Sequence, residues 1–168
     1  MVLSRLTILV ILTVLAKISC ASSASSSYGS IHDLLRSHGL PGGLLPKSVD
    51  SFVMDPATGL LEATLDSPCY AKYDGLVYFD RVVRGNLSFG ELRGVVGLSQ
   101  EELFLWLPVK EIRVSDPGSG VILFDIGMAH KQLSMSLFEE PPDCQPDGTL
   151  ILGGGQGDLS SKEKASQY

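Results

Sequence analysis

Positive charge is sparse in this chain. Thirteen Lys and Arg stand against nineteen Asp and Glu, a formal charge of −6 over 168 residues. Nowhere do five or more basic residues cluster. Phosphate backbones and anionic lipid surfaces recruit proteins through such clusters. Nucleic acid is therefore not an expected partner, and an anionic membrane surface is disfavoured. Histidine and cysteine are scarce too, three of each. No CxxC occurs and no two histidines stand four apart, so the spacings that place two ligands on one metal are missing. No metal site and no cofactor is expected. Glu139, Glu140 and Asp143 read as solvated surface, because calcium demands more oxygen ligands at defined spacing. Gly153-Gly154-Gly155 lacks the Lys-Ser/Thr that completes a phosphate loop. No G-x-S-x-G nucleophile elbow is present. The nearest strings, Gly97-Leu98-Ser99-Gln100-Glu101 and Gly85-Asn86-Leu87-Ser88, lack the second glycine. His32, His38 and His130 are available as bases in principle, but no residue is assigned a catalytic role.

Long apolar runs are also missing. Leu6 to Ala16 is about half of the roughly 20 residues that a membrane helix needs. With Arg5 before it and the small residues Ser19-Cys20-Ala21 after it, residues 1–21 read as a secretory signal peptide cleaved after Ala21, with Ala24 as the second choice. The competing reading is a single membrane anchor. Cleavage would leave no integral membrane segment, and it would remove Cys20. Cys69 and Cys144 would then be alone in an oxidising compartment, where two cysteines most simply form a disulfide; the alternative is a pair of buried thiols. The expected localisation is the secretory pathway or the extracellular space. Asn86-Leu87-Ser88 fits the N-glycan acceptor pattern, which in an exported protein places Asn86 on an exposed loop or turn.

What is present is β structure. Residues 22–29 read as a disordered Ser/Ala-rich leader. Ser30 can cap a short helix whose Ile31, Leu34 and Leu35 share one face, with Gly39 and Pro41 ending it. From Val49 the period becomes two. A strand, the turn Asp55–Gly59 and a return strand with Leu61, Ala63 and Leu65 on one face make a hairpin. Cys69 to Asp80 reads as a further strand with Asp74-Gly75 as a turn or bulge, and Leu76 to Phe79 as buried on both sides. Arg81 to Phe89 continues it with a kink at Gly85-Asn86, and Glu91 to Leu98 is ambiguous. Leu103 to Val114 carries the longest strand signal, with Pro108 marking an edge or a bulge. Val121 to Met128 returns, and His130 to Leu137 is strand and loop or a short helix. About eight strands and one helix, in residues 30–144, predict a mainly β, single-domain, antiparallel β-barrel-like fold with one short N-terminal helix. Residues 145–168 read as a flexible Gly/Ser-rich tail.

Aromatic residues are the candidate site. Tyr70, Tyr73, Tyr78, Phe79, Phe104, Trp106 and Phe124 could line a cavity in or at the mouth of a small barrel, which either fills its interior or holds one ligand. The plain alternative is that each is ordinary core. The function expected on this basis is non-enzymatic binding of a small apolar molecule, lipid-like or pigment. The competing classes are a protein-interaction module of the secretory pathway or cell surface, whose partner the sequence does not name, and a weak esterase.

Gly39-Leu40-Pro41 with Leu44-Leu45-Pro46, Pro68-Cys69-Tyr70-Ala71, Leu103-Phe104-Leu105-Trp106 and the closing Ser136-Leu137-Phe138-Glu139-Glu140-Pro141-Pro142-Asp143-Cys144 together resemble the plant domain-of-unknown-function 538 family, which includes the "smaller with variable branches" proteins. The resemblance spans roughly Ile31 to Cys144. It implies a compact β-barrel-like domain, a plant origin and secretion, and no established activity. Distant similarity of the family to lipid-binding bactericidal permeability-increasing proteins, and chlorophyll hydrolysis, have both been suggested.

Overall fold

A computed structural model describes residues 29–146. The expected signal peptide lies outside the described residues, as do nearly all of the leader and of the tail. Helix α1 (Ile31–Ser37) begins as its sequence predicts. Ser30 is extended, and its Oγ accepts the Asp33 amide at 3.1 Å, satisfying one of the open donors of the first turn. The helix ends in a Schellman arrangement: the Gly39 amide donates to Arg36 O and the Leu40 amide to Leu35 O, both at 3.0 Å. Ile31, Leu34 and Leu35 point into the core. Leu40, Leu44 and Leu45 follow them through a 3-10 turn at Gly42–Leu44.

Nine strands then form one antiparallel sheet, against an expectation of about eight. They are β1 (Val49–Met54), β2 (Leu60–Leu65), β3 (Cys69–Lys72), β4 (Leu76–Ser88), β5 (Glu91–Glu102), β6 (Leu105–Pro108), β7 (Glu111–Arg113), β8 (Val121–Asp125) and β9 (His130–Ser134). The long β4–β5 hairpin is the spine. One edge of β4 carries β3 along residues 76–79 and β2 along residues 82–86. The far edge of β5 carries β7 along residues 91–93 and β6 along residues 99–102. β8 and β9 extend the sheet beyond β7, and β1 extends it beyond β2. The end strands β1 and β9 do not pair with each other, so the sheet is open. "Barrel-like" holds only in that one inner face and α1 share a single core. That core includes Leu61, Ala63, Leu65, Ala71, Val77, Phe79, Leu98, Ile112, Ile122 and Phe124.

Three local expectations change. Leu76–Phe79 is not buried on both sides: Val77 and Phe79 are inside, while Leu76 and Tyr78 are half-buried on the outer face. An antiparallel sheet covered on one side alternates in this way. The ambiguous stretch from Glu91 is strand throughout. The single strand expected over Leu103–Val114 is instead a tight turn followed by two short strands, β6 and β7, both along β5. Pro108 is on an edge as expected, since β6 pairs with β5 alone.

Cys69 and Cys144 are joined, with Cα atoms 5.5 Å apart, inside the range that a disulfide spans. The described residues run two past the expected domain end at residue 144. Gln145 pairs with Tyr70 through two backbone bonds of 2.7 and 2.9 Å. Lys47 N–H donates to Pro142 O nearby, and the Lys47 ammonium meets Asp143 at 3.0 Å.

Candidate functional site

Among the described residues, the hollow between Tyr73, Val77, Phe79, Leu98, Gln100, Phe124 and Phe138 has room for about 10 Å³, scarcely one water, so these core aromatics line no ligand-sized cavity. Phe79 and Phe124 are core residues, 0% and 4% exposed. Phe124 stacks on Phe138 at 5.4 Å. Tyr73 also belongs there. Its ring packs on Phe138 at 4.7 Å, and its hydroxyl donates to Gly43 O at 2.9 Å and Leu44 O at 3.3 Å.

Burial pushes the Tyr73 hydroxyl well above the ordinary tyrosine value. The native state therefore holds this proton at pH values where the unfolded chain, titrating near pH 10, has lost it. Stability is unaffected below about pH 10 and falls above it by about 1.4 kcal/mol per pH unit for this one group. Tyr73→Phe should cost about 1 kcal/mol at pH 8 through its lost hydrogen bonds. That deficit should close, then reverse, near pH 11. Urea unfolding across pH 8–11.5 measures it, and parallel profiles for the two proteins would contradict it.

Three of the four remaining candidates come together on the opposite, outer face. Tyr70 and Tyr78 are cross-strand partners on β3 and β4, with ring centroids 5.0 Å apart. Trp106 reaches over from β6, 5.6 Å from Tyr70 and 6.2 Å from Tyr78. The register explains the reach. Tyr78 faces Ser99 on β5, and Ser99 faces Pro108 on β6, so a small side chain lies between β4 and β6. Trp106, two residues along on the same face and opposite Glu101, can lean across it. Centroid spacings of 4.5–7 Å with tilted planes are those that aromatic quadrupoles favour. Partial burial, and then the charge and hydrogen bonding of Asp80, push the Tyr78 hydroxyl pKa up. The seven candidate aromatics thus divide into core (Tyr73, Phe79, Phe124), outer cluster (Tyr70, Tyr78, Trp106) and one outlying residue, Phe104.

Phe104 and Leu103 form the two-residue turn that joins β5 to β6. Both have positive φ, 68° and 49°. Two positive φ values are the mark of the tight hairpin turn that Asn-Gly normally fills. Here both side chains are large, apolar and open to solvent, 88% exposed at Leu103 and 93% at Phe104. Leu105 is also exposed. The expectation of one strand over Leu103 to Val114 runs through this turn, because Leu-Phe carries no turn signal. The base of the hairpin is held from below. Buried Gln100 donates to Glu102 at 2.9 Å, and the Lys131 ammonium bonds Glu102 and lies 3.6 Å from Asp74.

Asn86 is exposed, but it lies within β4 between β2 and β5 rather than on a loop or turn. Its Nδ2 donates to Thr58 O at 2.6 Å. The esterase residues are not assembled into an elbow. Ser99 lies in mid-strand and Ser88 ends β4, neither on a strand-to-helix turn. His32 Nδ1 is 2.8 Å from Gly42 O and His38 Nδ1 is 2.9 Å from Leu34 O. Among the described residues no group of three or more His, Cys, Asp or Glu could hold a metal ion. None of their helices is long and apolar enough to cross a membrane.

No curated protein matches the chain. A family model described as "Protein of unknown function, DUF538" matches residues 31–139, from the first residue of α1 through the 3-10 turn Met135–Phe138 and thus across the whole sheet. The outer aromatic cluster and the apolar hairpin turn therefore lie within the matched domain, and the chain belongs to the DUF538 family.

Proposed function

We propose that the protein is exported and binds a small apolar molecule, lipid-like or pigment, on the outer face of the sheet against Tyr70, Tyr78 and Trp106. The observation that carries this reading is the combination of a hollow among the core aromatics too small for a ligand with three mutually packed rings left partly open to solvent. Flat aromatic faces offer a ligand large contact area at small entropic cost, because the rings already hold one another in place. The apolar run at Leu6–Ala16 and the Cys69–Cys144 bridge support export. An N-glycan on Asn86 belongs to the same reading, attached before β4 closes over the Thr58 carbonyl.

An anilinonaphthalene-type apolar probe tests the site. Saturable binding is expected, weakened about tenfold by Trp106→Ala and similarly by Tyr78→Ala, since truncation of a central aromatic anchor typically costs over 1 kcal/mol. Both rings lie outside the core, so the variants should stay folded. Binding unaltered by both changes would remove this patch as the site. The unpaired outer edges of β1 and β9 favour the second reading, a protein-interaction module, because an open sheet can accept an added strand.

A further inference from the structure

We propose that the β5–β6 hairpin tip is a membrane-docking element that places Leu103 and Phe104 into a zwitterionic or neutral lipid surface. This goes beyond the ligand site and stands whether or not a single small molecule binds the tyrosine–tryptophan cluster. The tip breaks two ordinary rules at once. Large apolar side chains stand almost wholly in water, 88% and 93% exposed, and both residues hold left-handed backbone that side chains disfavour. Asn-Gly at these positions would relieve both faults. A sequence that keeps Leu-Phe here keeps a preformed apolar wedge.

The residues around the wedge fit a bilayer. Leu105 and Trp106 continue the apolar surface, and behind them Tyr70 and Tyr78 present rings with polar tips. Such amphipathic aromatics favour the headgroup level of a membrane, with the purely apolar side chains beyond them in the acyl region. The wedge is rigid at its base through Gln100, Glu102, Lys131 and Asp74, so docking orders little that is not already ordered. Charge selects the kind of surface. Glu101, Glu102, Asp74 and Asp80 border the hairpin and the cluster, and against them stand Lys72 and Lys131, the latter already paired. An acidic border repels anionic headgroups and tolerates phosphatidylcholine or uncharged lipid.

Trp106 is the one tryptophan of the chain and lies beside the wedge, so it reports docking directly. The full chain is mixed with phosphatidylcholine vesicles carrying bromine at set acyl depths, and Trp106 emission is recorded. A blue shift with quenching by shallow bromines is expected, together with weaker binding as phosphatidylserine replaces phosphatidylcholine. Leu103→Asn/Phe104→Gly should be at least as stable as the parent, retain probe binding at the cluster, and lose vesicle affinity roughly 100-fold, the scale of two apolar side chains withheld from lipid. Four results would overturn the proposal: an emission unchanged by vesicles; binding that strengthens with phosphatidylserine and vanishes in salt; vesicle affinity unaltered in the Asn-Gly variant; or sedimentation showing that the tip is instead covered by a second copy of the chain.

Discussion

Removing the Cys69–Cys144 bridge, by the double change Cys69→Ala/Cys144→Ala, is expected to lower stability by about 4 kcal/mol. The two cysteines are 75 residues apart, and closing a loop of that length in the unfolded chain is worth about 4.5 kcal/mol on the chain-entropy account. The bridge closes at a Cα separation of 5.5 Å, within the range that disulfides span. The bridge does more than shorten the unfolded chain. It fixes the strap that ends the domain against β3, where Gln145 pairs with the backbone of Tyr70. Without it, the strap is held by that pair, the Lys47–Pro142 backbone bond and an exposed ion pair worth under 1 kcal/mol. Local opening should therefore precede global unfolding, and the Tyr70 and Gln145 amides should exchange faster than those of β4. Urea denaturation and hydrogen exchange measure the two effects. A loss below 1 kcal/mol with unchanged exchange would contradict the account.

Gly97→Ala should cost a comparable amount, about 3–5 kcal/mol, from disfavoured left-handed backbone and overpacking together. Gly97 has φ of 85°, and a Cβ there would meet the Val82 carbonyl oxygen at a distance no side chain tolerates. The contact is not incidental. Between the pairs Phe79–Leu98 and Arg84–Val96, β4 spends four residues where β5 spends one. Gly97 is that one residue, and opposite it β4 passes from pairing with β3 to pairing with β2. Such a bulge bends the sheet. Here it lets Leu98 point into the core while Ser99 points out beneath Trp106. Gly94→Ala is the control: φ is 59° and nothing lies within 4 Å of the added carbon, so only the backbone cost of about 1–2 kcal/mol remains. Thermal or urea unfolding of both variants decides it, and equal losses would mean that the contact with Val82 is not what fixes glycine at position 97.

Much of the fold was legible because local chemistry and tertiary role agreed. Ser30 and Gly39 bound α1 through capping bonds that the residues themselves make possible. The alternation of Leu61, Ala63 and Leu65 against polar neighbours marked one buried face. Cys69 and Cys144, the pair that the expected signal cleavage leaves, are the two that the bridge joins. The hairpin tip was not legible, because Leu103-Phe104 is a turn made from residues that oppose it, and periodicity carried the strand straight through. The candidate site was half legible. Aromatic content pointed to Tyr70, Tyr78 and Trp106 as readily as to Tyr73 and Phe124, and only the register separates outer face from core. Sheet closure also lay beyond the sequence, since strand count does not say whether the first strand meets the last.

The central claim is that the outer rings of Tyr70, Tyr78 and Trp106, and not the interior, receive an apolar ligand. Energy transfer from Trp106 to a bound apolar acceptor tests it most directly, because transfer reports distance as well as binding. The account expects saturable transfer at near contact that Tyr70→Ala/Tyr78→Ala abolishes while leaving the fold intact. Saturable binding without efficient transfer, or transfer unchanged when both tyrosines are gone, would place the ligand elsewhere and contradict it.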